Sequence, residues 1–238
     1  MKQRYILLLS LLLMMMSLPR LSAQNLQLHY DLGSRLYAKE MPRRPQLTTT
    51  IEHFRPDAWG STFYFVDLNY QDQGIQSAYW EIARDLKLWS APLALRLEYN
   101  GGLSNSFSYD DAYLVGLSYA YNAPDYSWGW GIAPLYKHLA GRSRPHSWQL
   151  TGTWYLHLMN RALTFTGFAD LWQDRFAGLG DGLVFISEPQ IWCNLNRLRG
   201  FSSDFGLSIG AEVELSYSFL RRDGLYAIPT VGLKWTFF

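Results

Sequence analysis

The chain has 238 residues, of which 48% are apolar, 16% aromatic and only 17% charged. Soluble domains usually carry about 25% charged residues, so this composition is rich in aromatics and poor in charge. The 21 basic and 20 acidic residues nearly cancel. Without a net field to attract a polyanion, a nucleic-acid partner is not expected.

Residues 1–23 have the features of an export signal. A charged start at Lys2 and Arg4 precedes an apolar core over residues 5–18 and an approximate cleavage site. The alternative is a membrane anchor, but the apolar run is about 14 residues long and a spanning helix needs about 20. The sequence therefore predicts a cleaved signal peptide followed by one mature domain over residues 24–238.

The mature chain has no other long apolar run, and no linker or low-complexity tract divides it. A spanning helix is therefore not predicted, and a closed β-sheet is the remaining way to satisfy backbone hydrogen bonds inside a membrane. Cys193 is the only cysteine, which excludes a disulfide within the chain.

Alternating apolar and polar residues, interrupted by turn formers at intervals of roughly 12 to 20 residues, predict antiparallel strands. Twelve strands are expected, starting near residues 26, 48, 60, 77, 92, 111, 127, 145, 163, 183, 205 and 225. In the fourth, Arg84 falls on the apolar face with Trp80 and Ile82. It must therefore lie near a membrane interface or break the register.

The clearest alternation runs from Phe205 to Tyr217, where the odd positions are apolar and the even positions are small or acidic. The two end aromatics are 12 residues apart, which is about 40 Å along a strand and about 28 Å of height at a tilt near 45°. The lipid-facing band of an outer-membrane barrel is about 25 Å tall and is flanked by aromatic girdles. The strand length thus favours a bilayer.

Connection lengths are consistent with this, because bacterial barrels have short periplasmic turns and longer outer loops. With the first strand running outward, outer loops are expected at 34–47, 71–76, 101–110, 140–144, 173–182 and 219–224. Inner turns are expected at 55–58, 90–91, 122–126, 159–162 and 194–204. The last is long, which indicates either a long periplasmic turn or a miscounted hairpin.

The chain ends in an alternating strand, with Val231, Leu233, Trp235 and Phe237 in phase and Phe238 out of phase by one residue. Such an aromatic ending resembles the C-terminal signal by which outer-membrane barrels are recognised for assembly. We therefore expect the barrel-assembly machinery to be a partner, although a soluble β-protein can also end in a strand.

Several stretches together resemble an uncharacterised family of Gram-negative outer-membrane proteins whose members are described as similar to Tsx, the nucleoside-specific channel-forming porin. The stretches are LTTTIEHFRPDAWGSTFYFVDLNY (47–70), AYWEIARDLKLW (78–89), LEYNGG (97–102), PHSWQLTGTWYLH (145–157), FTGFADLW (165–172), FISEPQIWCNLN (185–196), IGAEVELSYSF (209–219) and IPTVGLKWTF (228–237).

The resemblance implies a monomeric twelve-stranded barrel in the outer membrane, surrounded by its lipid and passing nucleosides. No Tsx motif can be transferred residue by residue, so the resemblance only suggests the solute. The expected fold is accordingly all-β: a single transmembrane antiparallel up-and-down barrel of about 12 strands.

A barrel of this size has a narrow bore, between filled eight-stranded barrels and wide porins. Alternation sends nine acidic and three basic residues inward, a balance that favours neutral or cationic solutes. They are Glu52, Asp67, Glu81, Asp85, Glu98, Asp170, Glu188, Glu212, Glu214, Lys87, Arg96 and Lys234. The alternative is that these charges only satisfy one another as ion pairs.

Phe63 and Phe65 also point inward if Thr62, Tyr64 and Val66 point outward. Rings that line a narrow polar bore can stack on a flat solute such as a nucleobase. The alternatives are that these rings fill space near the wall, or that the phase of the strand is inverted.

A barrel enzyme acting on lipids is the second functional class. His146 adjoins Ser147, and His157 is expected to project inward beside the strand carrying Asp170. Neighbouring residues on a strand face opposite sides, however, and no nucleophile elbow, metal-ligand cluster or phosphate loop is present. No catalytic residue, metal or cofactor is therefore predicted.

The third class is a non-transporting surface or binding barrel. An adhesin would carry longer outer loops, and a soluble lipocalin-like barrel would turn its apolar face inward, which periodicity alone does not distinguish. The inward polar faces and modest loops favour a channel for passive diffusion of small solutes, with nucleosides as the suggested example.

Overall fold

The computed structural model describes residues 24–71, 74–176 and 180–237, and the side chains of residues 175–181 and 221 are not described. The predicted signal peptide and Phe238 lie outside the described residues. Within the described ranges, no helix is both long enough and apolar enough to cross a membrane.

In the part of the chain that the structure describes, thirteen β-strands form one antiparallel sheet. They are β1 (Gln24–Asp31), β2 (Leu47–Asp57), β3 (Gly60–Gln71), β4 (Gly74–Leu86), β5 (Leu93–Ser104), β6 (Ala112–Asn122), β7 (Trp128–Leu139), β8 (His146–Leu158), β9 (Leu163–Phe176), β10 (Gly180–Ser187), β11 (Gln190–Asn194), β12 (Leu207–Tyr217) and β13 (Leu225–Phe237). A one-turn helix, α1 (Gly33–Leu36), and 3-10 turns at Leu195–Arg197 and Phe219–Arg221 lie in connections.

The sheet closes on itself because β13 pairs with both β12 and β1. Strands β10 and β11 both pair with β9 on one side and β12 on the other. They therefore count as one strand of the barrel, interrupted at Glu188 and Pro189. The result is a closed twelve-stranded up-and-down barrel. The predicted fold class is confirmed, and each predicted strand start lies within three residues of the observed one.

The two faces of each strand have opposite polarity, with the polar face inside the barrel. In β1, Leu26 and Leu28 are each 41% exposed, whereas Gln27 and His29 are 2% and 5% exposed. Strand β12 repeats this pattern, with exposed Ile209 and buried Ser208. Apolar side chains therefore cover the outside, and the lipocalin-like alternative is wrong.

Aromatic pairs lie on the barrel near both ends. At the end that holds Gln24 and Phe237, Phe205 meets Trp235 edge-on at 5.5 Å and Tyr121 lies 5.1 Å from Trp128. At the opposite end, Tyr99 lies 5.3 Å from Tyr113. Aromatic residues near both ends of a barrel are the expected anchors at the two interfaces of a membrane.

Several connections differ from the predicted ones. The expected loops at 71–76, 101–110 and 173–182 are shorter in the structure, because β3, β5 and β9 continue to Gln71, Ser104 and Phe176. Residues 195–206 are a genuine long connection rather than a missed hairpin. Lys87, predicted to face the lumen, is exposed in the turn after β4, so that prediction is wrong.

Arg84 does face outward, as the alternation requires, and it lies near the end of β4. Its guanidinium donates to both Asp57 carboxylate oxygens, at 2.6 and 2.9 Å. The hairpin beside it turns at Gly60, whose φ is +143°, and a side chain there would lie 1.9 Å from the Asp85 carbonyl oxygen. Only glycine fits this position.

Candidate functional site

The candidate site is the lumen, where carboxylates from opposite walls of the barrel interact. On one side, Glu81 of β4 interacts electrostatically with Glu98 of β5 and with Asp170 of β9. Lys137 of β7 is in range of the same three carboxylates. Four strands, β5 to β8, separate β4 from β9 in the barrel wall. The inward side chains of β4 and β9 therefore approach each other across the bore.

A second group completes the belt. Glu188, at the interruption between β10 and β11, interacts electrostatically with Glu212 of β12 and with Asp67 of β3 on the opposite wall. Two neighbouring polar groups hold these carboxylates in place: Thr50 donates to Asp67 at 2.5 Å, and Gln190 donates to Glu212 at 2.5 Å. The structure thus brings together most of the acidic residues predicted for the lumen. We call these two groups the carboxylate belt.

Arg96 balances part of this charge. Its guanidinium donates to Glu98 at 2.8 Å and to Asp85 at 3.2 Å. The Ser118 hydroxyl also donates to Asp85, at 2.6 Å. For Arg96, Asp85 and Glu98, the expected ion pairing is therefore present. Asp85 lies closer than the belt does to the end of the barrel that holds Gln24 and Phe237.

Glu214, which was also predicted to face the lumen, holds two loops. Arg44, in the connection 32–46, donates to Glu214 at 2.7 Å and to Asp31 at 2.8 Å. Arg222, in the connection 218–224, donates to the other Glu214 oxygen at 3.0 Å. Burial alone would lower the pKa of the Arg44 guanidinium, but attraction to Glu214 and Asp31 outweighs burial and raises it.

Other loops at the same end also fold inward. Arg142 bridges Asp110 at 2.7 Å and Asp174, joining the connections 140–145 and 105–111 to β9. Phe219 packs edge-on against inward-facing Trp172, with ring centroids 6.1 Å apart. Four connections therefore converge over this mouth of the barrel and narrow it.

A row of aromatic rings descends one wall from this mouth to the belt. Its members are Phe107, Tyr109, Tyr79, Phe65 and Phe63, with successive centroids 5.2, 6.2, 6.0 and 6.1 Å apart. The Tyr79 hydroxyl donates to Glu81 at 2.6 Å, which joins the row to the belt. Phe63 and Phe65 face the lumen as predicted, and their role in binding stays a prediction.

The opposite wall carries a cation over an aromatic face. The Lys234 ammonium lies 4.2 Å from the centroid of Trp192, a fully buried ring that donates to Gln190 at 2.9 Å. A side chain at Gly210 would lie 2.4 Å from this ring, so glycine makes room for it. The indole fills part of the bore.

Sequence reasoning missed Arg44, Arg222, Lys137 and Trp192. Lys137 and Trp192 were detectable, because each occupies an inward position in an alternating strand. Arg44 and Arg222 lie in loops, where no periodicity indicates a direction. The Arg44 contact with Glu214, 170 residues away along the chain, forms only in the folded barrel, whereas Arg222 reaches Glu214 from the adjoining connection, 8 residues away.

The residues considered for catalysis do not form a catalytic arrangement. His146 Nδ1 lies 2.5 Å from the Tyr136 hydroxyl, while the Ser147 hydroxyl donates to the Gln173 carbonyl. His157 Nδ1 lies 3.0 Å from the Thr164 hydroxyl. Asp170 is opposite Thr151 in the β8–β9 register, and Thr151 is three inward-facing positions from His157 on β8, so His157 and Asp170 are not neighbours. Among the described side chains, no set of three His, Cys, Asp or Glu residues is arranged to hold a metal.

Comparisons with known proteins agree with this architecture. The sequence profile of a family described as Domain of unknown function (DUF5020) matches residues 23–237. No curated protein matches the sequence.

Three solved structures match over 91% of this chain. The NanC porin is 14% identical, with a TM-score of 0.56 over 91% of this chain and 100% of that chain. The KdgM porin is 12% identical, with a TM-score of 0.49 over 91% of this chain and 99% of that chain. LpxR from Salmonella typhimurium is 12% identical, with a TM-score of 0.45 over 91% of this chain and 100% of that chain. The likeness to NanC supports the fold.

Proposed function

This chain belongs to the DUF5020 family, and we propose that it forms an outer-membrane channel for passive diffusion of small neutral or cationic solutes. The observation that carries the proposal is the polarity of the barrel: apolar side chains cover the outside, and charged and hydrogen-bonding side chains line an enclosed interior. A closed barrel of this polarity can place a polar path across hydrocarbon without leaving backbone groups unpaired.

Membrane insertion explains why so much apolar surface stays exposed. Trp130, Ile132, Leu117 and Val231 are each between 42% and 52% exposed on the outer face. Water-soluble monomers rarely expose contiguous apolar surface of that extent. We therefore propose that outer-membrane lipid covers this face, after export directed by residues 1–23 and assembly by the barrel machinery through β13.

The excess of carboxylates in the belt supports a preference against anions. Charged rings select ions by sign, because an anion would have to pass Asp67, Glu81, Asp170, Glu188 and Glu212 at close range. Lys137 and Arg44 offset only part of this charge. The barrel is proposed to act as a monomer, because the bore is enclosed within one chain.

Nucleosides are the proposed example of a neutral solute. The row from Phe107 to Phe63 offers aromatic faces to a base, and the carboxylates beside it can accept hydrogen bonds from ribose hydroxyls or base amino groups. The aromatic row and the resemblance to proteins described as Tsx-like both support this choice.

Conductance in planar lipid bilayers tests the channel proposal. Purified protein is expected to give discrete conductance steps, a reversal potential of cationic sign in a KCl gradient, and reduced current when nucleosides are added. A panel of sugars is the comparison for the nucleosides. The absence of steps in bilayers containing correctly folded barrel would contradict the channel, and unblocked current across the whole panel would contradict a stacking site.

A further inference from the structure

Two buried oxygen acceptors, one in the belt and one beside it, lack a donor among the described residues. Asn100 is 5% exposed and Asp170 is 7% exposed, and in each side chain the Oδ1 atom has no hydrogen-bond partner among the described residues. Both side chains face the lumen. Buried acceptors in native proteins are nearly always paired, so each unpaired one points to a missing donor.

These acceptors lie in a negatively charged part of the bore. Asn100 is directly opposite Glu81 across β4 and β5. Asp170 interacts electrostatically with Glu98, and Glu81 interacts with both Glu98 and Asp170. A hydrogen-bond donor at this place lies close to three carboxylates. A positively charged donor is therefore favoured over a neutral one.

The two basic residues nearby direct their donors elsewhere. Lys137 Nζ donates to Gln149 at 2.7 Å and lies 4.8 Å from the centroid of Trp172. Arg96 donates to Glu98 and Asp85. The carboxylates of Glu81, Glu98 and Asp170 are therefore near only two cations, Lys137 and Arg96, and Arg96 is shared with Asp85. This cluster of carboxylates can accept another positive charge.

We propose that Glu81, Glu98, Asn100 and Asp170 form a binding site for protonated amines entering the channel, which we call the amine site. The ammonium of the solute donates N–H groups to Asn100 Oδ1 and Asp170 Oδ1, and the carboxylates supply the opposite charge. This inference deepens the proposed function and rests on it, because the solute reaches the site through the bore.

The aromatic row fits this solute class. Tyr109 and Tyr79 lie between the loop-lined mouth and Glu81. Their ring faces attract cations, so an ammonium can pass along them before it meets the carboxylates. The Lys137 ammonium, held against Trp172 beside the same carboxylates, shows that this environment accommodates such a group.

The test compares cations of equal charge that differ in N–H donors. Butylammonium and tetramethylammonium are titrated into channels in planar bilayers, with K⁺ carrying the current. Butylammonium is expected to reduce the current at concentrations about tenfold lower than tetramethylammonium, because only butylammonium can donate to the unpaired acceptors. Equal potency of the two cations would overturn the proposal.

Variants localise the effect. Asp170→Asn is expected to weaken the butylammonium block about tenfold, since the site loses one carboxylate. Lys137→Gln is expected to strengthen the block, because the competing ammonium is removed. Exposed Asp204→Asn, in the connection 195–206, is the matched charge control and should leave the block unchanged. A block that is insensitive to both Asp170→Asn and Lys137→Gln would overturn the assignment.

Calorimetric titration of butylammonium into the full-length mature barrel in detergent separates this proposal from the channel proposal. Binding that is lost in Asp170→Asn, without conductance in bilayers, would preserve the amine site and reject the channel. Conductance without saturable butylammonium binding would preserve the channel and reject the amine site. Heat-modifiable gel mobility shows that each variant is folded. Asn100→Leu removes the second acceptor without changing the charge of the site, and it is also expected to lose butylammonium binding.

Discussion

At the scale of single residues, adjacent positions on one strand have opposite environments. Val213 faces outward and Glu212 faces the belt, where Gln190 donates to its carboxylate at 2.5 Å. This alternation decides which substitutions disturb membrane assembly and which alter the bore.

The Val213→Arg variant is expected to assemble poorly, because a cation facing hydrocarbon near the midplane costs about 2 to 4 kcal/mol. Glu212→Arg should fold with nearly normal yield and reduce cation selectivity, since the new cation faces Asp67 and Glu188. Folding yield in detergent and reversal potential check both results. The opposite ranking of the two folding yields would mean that the faces are assigned the wrong way round.

Phe65 is the central ring of the aromatic row on β3, with neighbours on both sides at 6.1 and 6.0 Å. Phe65→Leu is expected to weaken nucleoside block of the current about fivefold, because an aromatic contact contributes about 1 kcal/mol. Phe165→Leu is the control, since Phe165 is 37% exposed on the outer face of β9. Equal loss in both variants would contradict stacking in the row.

At the scale of elements, the loops are held by the barrel wall rather than by their own structure. The connection 32–46 contains only the one-turn helix α1, yet its Met41 is 5% exposed. Glu214, itself 5% exposed, accepts from Arg44 and Arg222 and so fixes two loops with one carboxylate.

Glu214→Gln is expected to release the connections 32–46 and 218–224 while the barrel stays folded. With a neutral amide at this position, the hydrogen bonds from Arg44 and Arg222 are no longer charge-assisted and are weaker. Trypsin cleavage after exposed Lys39 should become about tenfold faster, which corresponds to about 1.4 kcal/mol of lost loop stabilisation. Single-channel conductance should also rise. Exposed Asp223→Asn, in the connection 218–224, is the matched control. Unchanged cleavage in Glu214→Gln would show that the loop is held by other contacts.

At the scale of the whole molecule, the distribution of charge matters more than its total. The chain carries 21 basic and 20 acidic residues and is nearly neutral. Yet the belt gathers carboxylates from both walls, so the field inside the bore is negative although the net charge is not. A narrow bore with low-dielectric walls strengthens this field.

Cation selectivity is therefore expected to depend on salt concentration. The screening length is about 10 Å at 0.1 M salt and about 3 Å at 1 M. The cation-to-anion permeability ratio from reversal potentials should be well above unity at the lower concentration and should fall toward unity at the higher one. A ratio that does not change with salt would indicate selection by direct coordination rather than by the field of the belt.

The sequence alone predicted the fold to a large extent. The long alternations in β5, β8 and β12 require one apolar face and one polar face. The distance between the two end aromatics of the 205–217 stretch matches the thickness of a bilayer. Lumen positions such as Asp67, Glu81 and Asp170 follow from the same period of two, because side-chain direction in a strand is a local property. Solute binding by these residues stays a prediction.

Strand number, outward apolar faces and inward carboxylates were thus determined by the sequence, through the local geometry of the extended chain. Only the tertiary structure decided that carboxylates from opposite walls meet in one belt, that Glu214 holds two loops, and that Asn100 and Asp170 have oxygens without a donor among the described residues. Barrel closure is the physical reason. It sets how strands distant in sequence face one another, and no local pattern encodes the distance across a bore.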